Sequence, residues 1–323
     1  MARITPAGRV AAVAIAVLCA AGVSEASSKS TQYQFPVNGY VHAQWEQALA
    51  GAGAPSYGFV LRRARLKFRH SFVEQVRTEL EVGFDEFDLE LKDALAEFRP
   101  WTALGFRAGL GKTGFSREEL TPVSDLLFAE RGVTNDEFED RGYLGRDIGL
   151  AASGELFEDR LGYEFGVYNG NRARLARDDN NAKQFCERVT FRPADDLELG
   201  VNATQRNDSL TGRLVQAFGL DAGWEAGPAR VEFEALCGEA EPGQWMLGGT
   251  ASAGYRLGAI EPKLRAERFC PDLGDFGSGR MTLAAGANWF LHKWLELKAD
   301  LSVDLRAGED AALGLLVQAQ AGI

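Results

Sequence analysis

From Val37 to Ile323 the chain alternates apolar and polar residues with a period of two. Near the end Leu313, Leu315, Val317, Ala319, Ala321 and Ile323 alternate with Gly314, Leu316, Gln318, Gln320 and Gly322. Successive strand side chains point to opposite faces, so each such segment has one greasy and one wet side. About sixteen of them follow one another without an amphipathic helix between them, which leaves little to build a conventional core. The apolar faces are therefore expected to meet lipid.

After the first residues no apolar run approaches the ~18 residues of a membrane-spanning helix. A chain of this kind can cross a bilayer only as a closed barrel, because an open sheet edge would leave backbone groups unpaired in hydrocarbon. A charged fraction of 25% suits a barrel, since half of each strand faces water in the lumen. The expected fold is an all-β, up-and-down antiparallel transmembrane barrel of about sixteen strands. Eight to ten strands would be filled by side chains, whereas about sixteen enclose an aqueous channel. Lumenal Gly83, Gly109, Gly149, Gly166 and Gly254 are read as leaving space in it.

Turn residues set the strand limits. The predicted strands include Val37 to Glu46, Phe59 to Arg69, Val76 to Asp85, Asp93 to Phe98 and Leu104 to Gly111, and the series closes with Leu313 to Ile323. Every second connection is tight, as at Pro100 to Ala103 and Gly227 with Pro228, and the others are longer and more polar. That asymmetry fits short periplasmic turns and longer external loops. Trp45, Trp101, Trp224, Trp245, Trp289 and Trp294 fall near strand ends, where interfacial girdles would need them. A soluble sandwich would show long apolar side chains where this chain has Ala251, Ala253, Ala285 and Ala287.

Residues 1–26 read as a secretory leader: Arg3 and Arg9, an apolar run from Val10 to Leu18, and a small-x-small site at Ser24, Glu25 and Ala26. The mature domain is then 27–323, placed in the bacterial outer membrane. Cys19 follows Leu18, where lipid attachment requires a small residue, so no lipid anchor is expected. Removing the leader takes the net charge from −11 to −12, which gives no footprint for nucleic acid. Cys186, Cys237 and Cys270 allow one disulfide at most, and Cys237 with Cys270 is the candidate pair. His42, His70 and His292 are scattered, so neither a metal site nor a cofactor is expected.

One connection is far too long for a turn: Lys112 to Gly145, expected to be functional. Its sequence GKTGFSREELTPVSDLLFAERG resembles a segment of the phosphate-selective porin O and P family. The stretches GFVLRRARLKF, LKDALAEFRPW, GRDIGL, YEFGVYNGN and LAAGANWFLHKWLELKADLSV resemble further parts of the same family, in order. The resemblance implies a sixteen-stranded barrel, usually a homotrimer, whose third external loop folds into the lumen. It also implies passive passage of phosphate-like anions along lysines and arginines. Ile323 departs from the terminal aromatic usual in such barrels.

With apolar side chains turned to lipid, Arg63, Arg65, Lys67 and Arg69 form an inward row about 7 Å apart, with Arg62 beside it. Several weak sites in sequence can conduct an anion. Arg107, Arg188, Arg192, Lys263 and Arg265 are further inward cations, and Lys112 and Arg117 stand at the constriction. Glu118, Glu119, Asp125, Glu130 and Arg131 complete the constriction loop. The competing reading is neutralisation: Glu79, Glu81, Asp93, Glu97, Glu164, Glu232, Glu234, Glu296 and Asp300 also face inward, and cross-strand pairs stabilise a wet sheet face. The expected function is passive diffusion of small inorganic anions or other small polar solutes. The alternatives are a weakly selective porin with a mixed-charge constriction and a barrel-embedded enzyme.

GLGKTG, Gly109 to Gly114, satisfies G-x-G-x-x-G but lacks the following apolar helix a nucleotide site needs. No G-x-S-x-G occurs and the histidines are poorly placed for a triad, so no catalytic residue is assigned.

Overall fold

The computed structural model describes residues 37–51, 57–171, 178, 181–208, 212–306 and 308–322. The expected leader 1–26, Cys19 and Ile323 lie outside them. Sixteen strands run in chain order: β1 Val37–Ala50, β2 Tyr57–Val73, β3 Val76–Asp85, β4 Asp88–Trp101, β5 Leu104–Lys112, β6 Arg146–Leu156, β7 Leu161–Tyr168 and β8 Gln184–Ala194. Then come β9 Leu197–Asn207, β10 Leu214–Ala226, β11 Ala229–Glu241, β12 Gln244–Tyr255, β13 Ile260–Cys270, β14 Arg280–His292, β15 Leu295–Arg306 and β16 Ala312–Gly322. Each pairs antiparallel with its sequence neighbours, and β1 pairs with β16 from Tyr40↔Gly322 to Ala50↔Leu313, closing the barrel. Closure removes the free edges that hydrocarbon forbids.

The period of two becomes two faces. On β10, Leu214, Phe218, Leu220 and Trp224 are exposed outward, while Val215, Ala217, Gly219, Asp221 and Gly223 are buried inward. Large hydrophobic side chains stand exposed around the barrel, from Phe59 and Val41 to Leu264 and Leu301. In water such a surface would aggregate; against acyl chains it is the stable arrangement. Trp45 packs edge-on to Phe59 at 4.7 Å near one rim, and Trp101, Trp224, Trp289 and Trp294 ring the other. Among the described residues no helix is long and apolar enough to cross a membrane.

One rim carries only tight connections, including those between β2 and β3, β8 and β9, and β14 and β15. The opposite rim is less uniform than the sequence suggests. Two of its connections are two-residue turns, Glu86–Phe87 and Pro242–Gly243. Glu86 and Phe87 both have positive φ (48° and 75°), the backbone of a mirror-type hairpin turn made here without glycine. Between β5 and β6 the chain instead makes two helices, α1 Arg117–Leu120 and α2 Val133–Asp140.

The candidate Cys237–Cys270 disulfide does not form: both thiols are free. Cys237 is level with Leu247, and Leu247 with Cys270, so β12 stands between them. Two strand spacings, about 9.6 Å, exceed the ~7 Å Cα separation a disulfide can bridge.

Candidate functional site

The buried apolar residues gather where the segment after β5 meets the wall. Phe115 has no exposed surface and packs with Phe138, Tyr143 and Leu144 against Val215, Ala217, Leu236, Met246 and Phe269 of β10 to β13. The segment is thus held inside the barrel by its own greasy patch, on a wall that presents apolar side chains there instead of polar ones.

Polar contacts then orient it. Ser116 caps α1 by accepting from the Glu119 amide at 3.1 Å, and its hydroxyl donates to Glu234 of β11 at 2.8 Å. The same carboxylate accepts from the Arg117 amide at 2.6 Å and the Glu118 amide at 3.4 Å. A wall carboxylate therefore satisfies the orphan donors of the first turn. Arg117 reaches Glu198 of β9 at 2.6 Å. On the return leg Arg131 donates to the carbonyls of Glu118, Glu119 and Thr121. Lys112, at the end of β5, donates to the same Glu119 and Thr121 carbonyls.

The loop carboxylates are mostly withdrawn from water. Glu119 is buried against Arg131, and Glu130 is gripped by Arg63 and by Gln44 at 2.6 Å. Glu118 accepts from the Gly132 amide at 2.9 Å and lies 4.0 Å from Arg265. Of the four acids expected at the constriction, only Asp125 is exposed.

The wet face of the wall is a network of pairs. A bulge in β2, where His42 faces Arg63 and Ala43 faces Leu61, leaves Arg62 as the extra residue. Both guanidinium groups consequently reach Glu130, Arg62 at 3.4 Å and Arg63 at 2.5 Å, and Arg62 also pairs with Glu86. Arg65 lies over Gly83 and grips Asp85, the diagonal neighbour, instead of a residue directly across. Lys67 bridges Glu79 at 2.9 Å and Glu81 at 2.8 Å, and Arg69 holds Glu79 at 2.7 Å. Arg107 pairs with Glu164, Arg188 with Asp221, Arg192 with Glu198 and Glu155, Lys263 with Asp300, and Arg265 with Glu267. Lys112 stands 3.9 Å from Glu119.

The lumenal glycines do not open the lumen as expected; they seat side chains. A Cβ on Gly83 would strike Arg65, on Gly166 Tyr168, and on Gly254 Leu127. At Gly109 and Gly149 it would meet the neighbouring strand's backbone.

A sequence profile of the phosphate-selective porin O and P family matches residues 37–228, more than half of the chain. The chain belongs to that family. It is a passive channel of the outer membrane. No curated protein matches it in sequence. The fold of this porin is similar to that of an anion-selective porin from Comamonas acidovorans, with TM-score 0.69 at 13% identity over 90% of this chain and 99% of that one. It also resembles Salmonella typhi OmpF in complex with daunomycin, with TM-score 0.72 at 11% identity over 90% and 97%. The outer membrane channel DcaP of Acinetobacter baumannii aligns with TM-score 0.69 at 12% identity over 92% and 100%.

Several residues that shape the porin lumen carry no signal that singles them out in the sequence. Arg146 pairs with Asp93 at 2.8 Å, and Gln44, Arg230, Asn288, Lys298 and Gln320 all bond to the loop. Alternation does place these positions inward, beside the inward acids, but a backbone carbonyl as partner has no sequence signature.

The loop also carries a pH response. Burial pushes the Glu118 carboxyl up to about 8, with Glu234 and Glu267 adding to the shift and Arg265 opposing it. Burial, with Glu139, Glu130 and Glu267 nearby, pushes Asp136 up to about 7. A carboxyl raised above its ordinary value binds protons more tightly in the folded loop, so its stabilisation is full at acid pH and is lost as pH rises through the raised value. Proteolysis within 113–145 should therefore accelerate as pH rises from the ordinary carboxylate range to about 8, and level off above it. Glu118→Gln should flatten that rise, and a variant that keeps the full wild-type profile would assign it elsewhere.

Proposed function

We propose that this porin passes small hydrophilic solutes with a mild preference for phosphate-like anions. The observation that carries the direction is the order of exposure at the tight-turn end of β2 to β4. Arg69 is 43% exposed above Glu79 at 13%, and Arg77 is 43% exposed above Glu97 at 19%. A solute passing that end of the wall meets guanidinium donors first and carboxylates behind them, whereas toward the other rim Asp85 and Glu86 are more exposed than Arg65 and Arg62. Arg and phosphate suit one another in geometry and charge.

The preference is mild because the charges are paired. Each of the twelve candidate cations has an acid within 4.0 Å: Arg62, Arg63, Arg65, Lys67, Arg69, Arg107, Lys112, Arg117, Arg188, Arg192, Lys263 and Arg265. Partly neutralised sites bind weakly, which suits conduction better than a deep trap. Membership of a phosphate-selective family and the likeness to an anion-selective porin of Comamonas support anions as the favoured class. The same reading includes a cleaved leader over residues 1–26, a homotrimer in the outer membrane, and no catalysis.

Reversal potential under a salt gradient tests it. The expected sign is that of anions, with a permeability ratio close to unity, and Arg69→Ala with Arg77→Ala should move it toward cations. A wild-type channel that favours cations would overturn the reading.

A further inference from the structure

Every second residue of β1 and β16 faces the lumen, and toward the tight-turn rim these positions carry hydrogen-bonding side chains: His42 and Gln44 on β1, Gln318 and Gln320 on β16. The pattern breaks in the half toward the longer connections. There Ala48 of β1 stands level with Gly314 of β16, and Glu46 with Leu316. Leu316 is also level with Asp300 of β15, so a leucine is set between two carboxylates on the wet face. It continues into Gly314 and Ala312 along its own strand and into Ala48 across from them, with no donor or acceptor side chain among the four. Apolar surface gathered in this way on a hydrated face is a mark of a ligand-binding groove.

These residues border a cavity of about 810 Å³ in the same half of the lumen. Its charges are engaged with one another or with the wall behind: Glu130 with Arg63 at 2.5 Å, Asp300 with Lys263 at 2.6 Å, Asp304 with Arg280 at 2.6 Å, and Arg265 with Glu267 at 2.9 Å. Glu46 is the exception. Among the described residues that border the cavity it is the one charged group without a partner, and it is exposed. On its other side it is level with Gly58 of β2, where a Cβ would find no atom within 4 Å, so the carboxylate has free space beside it.

Residues paired directly across two strands hold their Cβ atoms about 5 Å apart. An ammonium seated on Glu46 therefore brings the first methylenes of its own chain against Leu316. A metal cation could use the charge alone, and an alcohol the apolar surface alone. Only a molecule with both an ammonium and a short hydrocarbon uses the two together.

We infer that the lumen between β1 and β16, toward the longer connections, is a binding site for small amphipathic ammonium compounds, with Glu46 as the counter-ion and Leu316 as the apolar contact. The inference rests on passive conduction and is independent of which inorganic ion is favoured.

Single-channel recording of the full-length barrel in planar bilayers, with ethyl-, butyl- or hexylammonium chloride in the bath, tests it. Hexylammonium should block the current reversibly at concentrations where ethylammonium has little effect, each methylene that reaches Leu316 strengthening block by up to about fourfold. Glu46→Gln should weaken block by every member of the series, by up to about fivefold. Leu316→Asn should flatten the dependence on chain length and leave block by ethylammonium unchanged. Should either variant fail to assemble, the chain-length series in the unaltered barrel still decides. Block of equal strength across that series, or hexylammonium block that Glu46→Gln leaves intact, would overturn the proposal. Reversal potentials recorded without amine read the inorganic preference separately, so loss of that reading is distinguishable from loss of this site. A barrel that passes no current before any amine is added would overturn passive conduction and the site with it.

Discussion

Arg188→Leu should destabilise the barrel by about 3–5 kcal/mol, the cost of stranding one partner of a buried ion pair. Arg188 and Asp221 meet through two parallel bonds of 2.7 and 2.8 Å, with the aspartate side chain fully buried and the arginine 9% exposed. The aspartate is seated over Gly200 and receives a third bond from Asn202 at 3.2 Å. Without Arg188 its remaining donors are too few for a charge held out of water. The double replacement Arg188→Leu with Asp221→Leu should recover much of the loss, because no charge is then left behind. Urea unfolding in detergent, followed by tryptophan fluorescence, reads both. A single variant as stable as the double would mean that water reaches Asp221 freely and that the wall pairs are surface contacts worth little.

Phe115→Ala should cost roughly 3–5 kcal/mol, but from the docking of the loop and not from the barrel. Phe115 contributes to a cluster whose other members belong partly to the loop, Phe138 and Tyr143, and partly to the wall, Leu236, Met246 and Phe269. The strand ladder does not pass through it. Trypsin should then cut the folded variant within 113–145, where Arg117 and Arg131 lie, while the barrel's urea midpoint stays near wild type. A shifted midpoint with a protected loop would place the cluster in the barrel's own stability.

The strands are legible in the sequence because lipid imposes a strict rule on every second residue. The rule stops at the edge of the hydrocarbon, and there alternation falls short. β1 continues past Glu46 to Ala50, β2 past Arg69 to Val73, and β11 past Leu236 to Glu241. The early part of β4, Asp88 to Lys92, is hidden for a different reason. Its turn is made by Glu86 and Phe87, residue types that rarely take positive φ. The inward charges are likewise legible as a set, and the pairs Lys67–Glu81 and Arg69–Glu79 follow from direct cross-strand register. Two things are not. The bulge at Arg62 changes the face of a side chain without altering the alternation pattern, and the grip of Lys298, Lys263 and Asn288 on loop carbonyls depends on a backbone path no periodicity encodes.

The central claim is that strands greasy on one side and wet on the other enclose a water-filled passage that solutes cross unaided. Swelling of liposomes containing the purified porin, in iso-osmotic solutions of uncharged sugars of increasing size, tests it most directly. The account predicts permeation that slows smoothly with sugar size and rises linearly with concentration. Uptake that saturates, or no swelling with the smallest sugar, would contradict it.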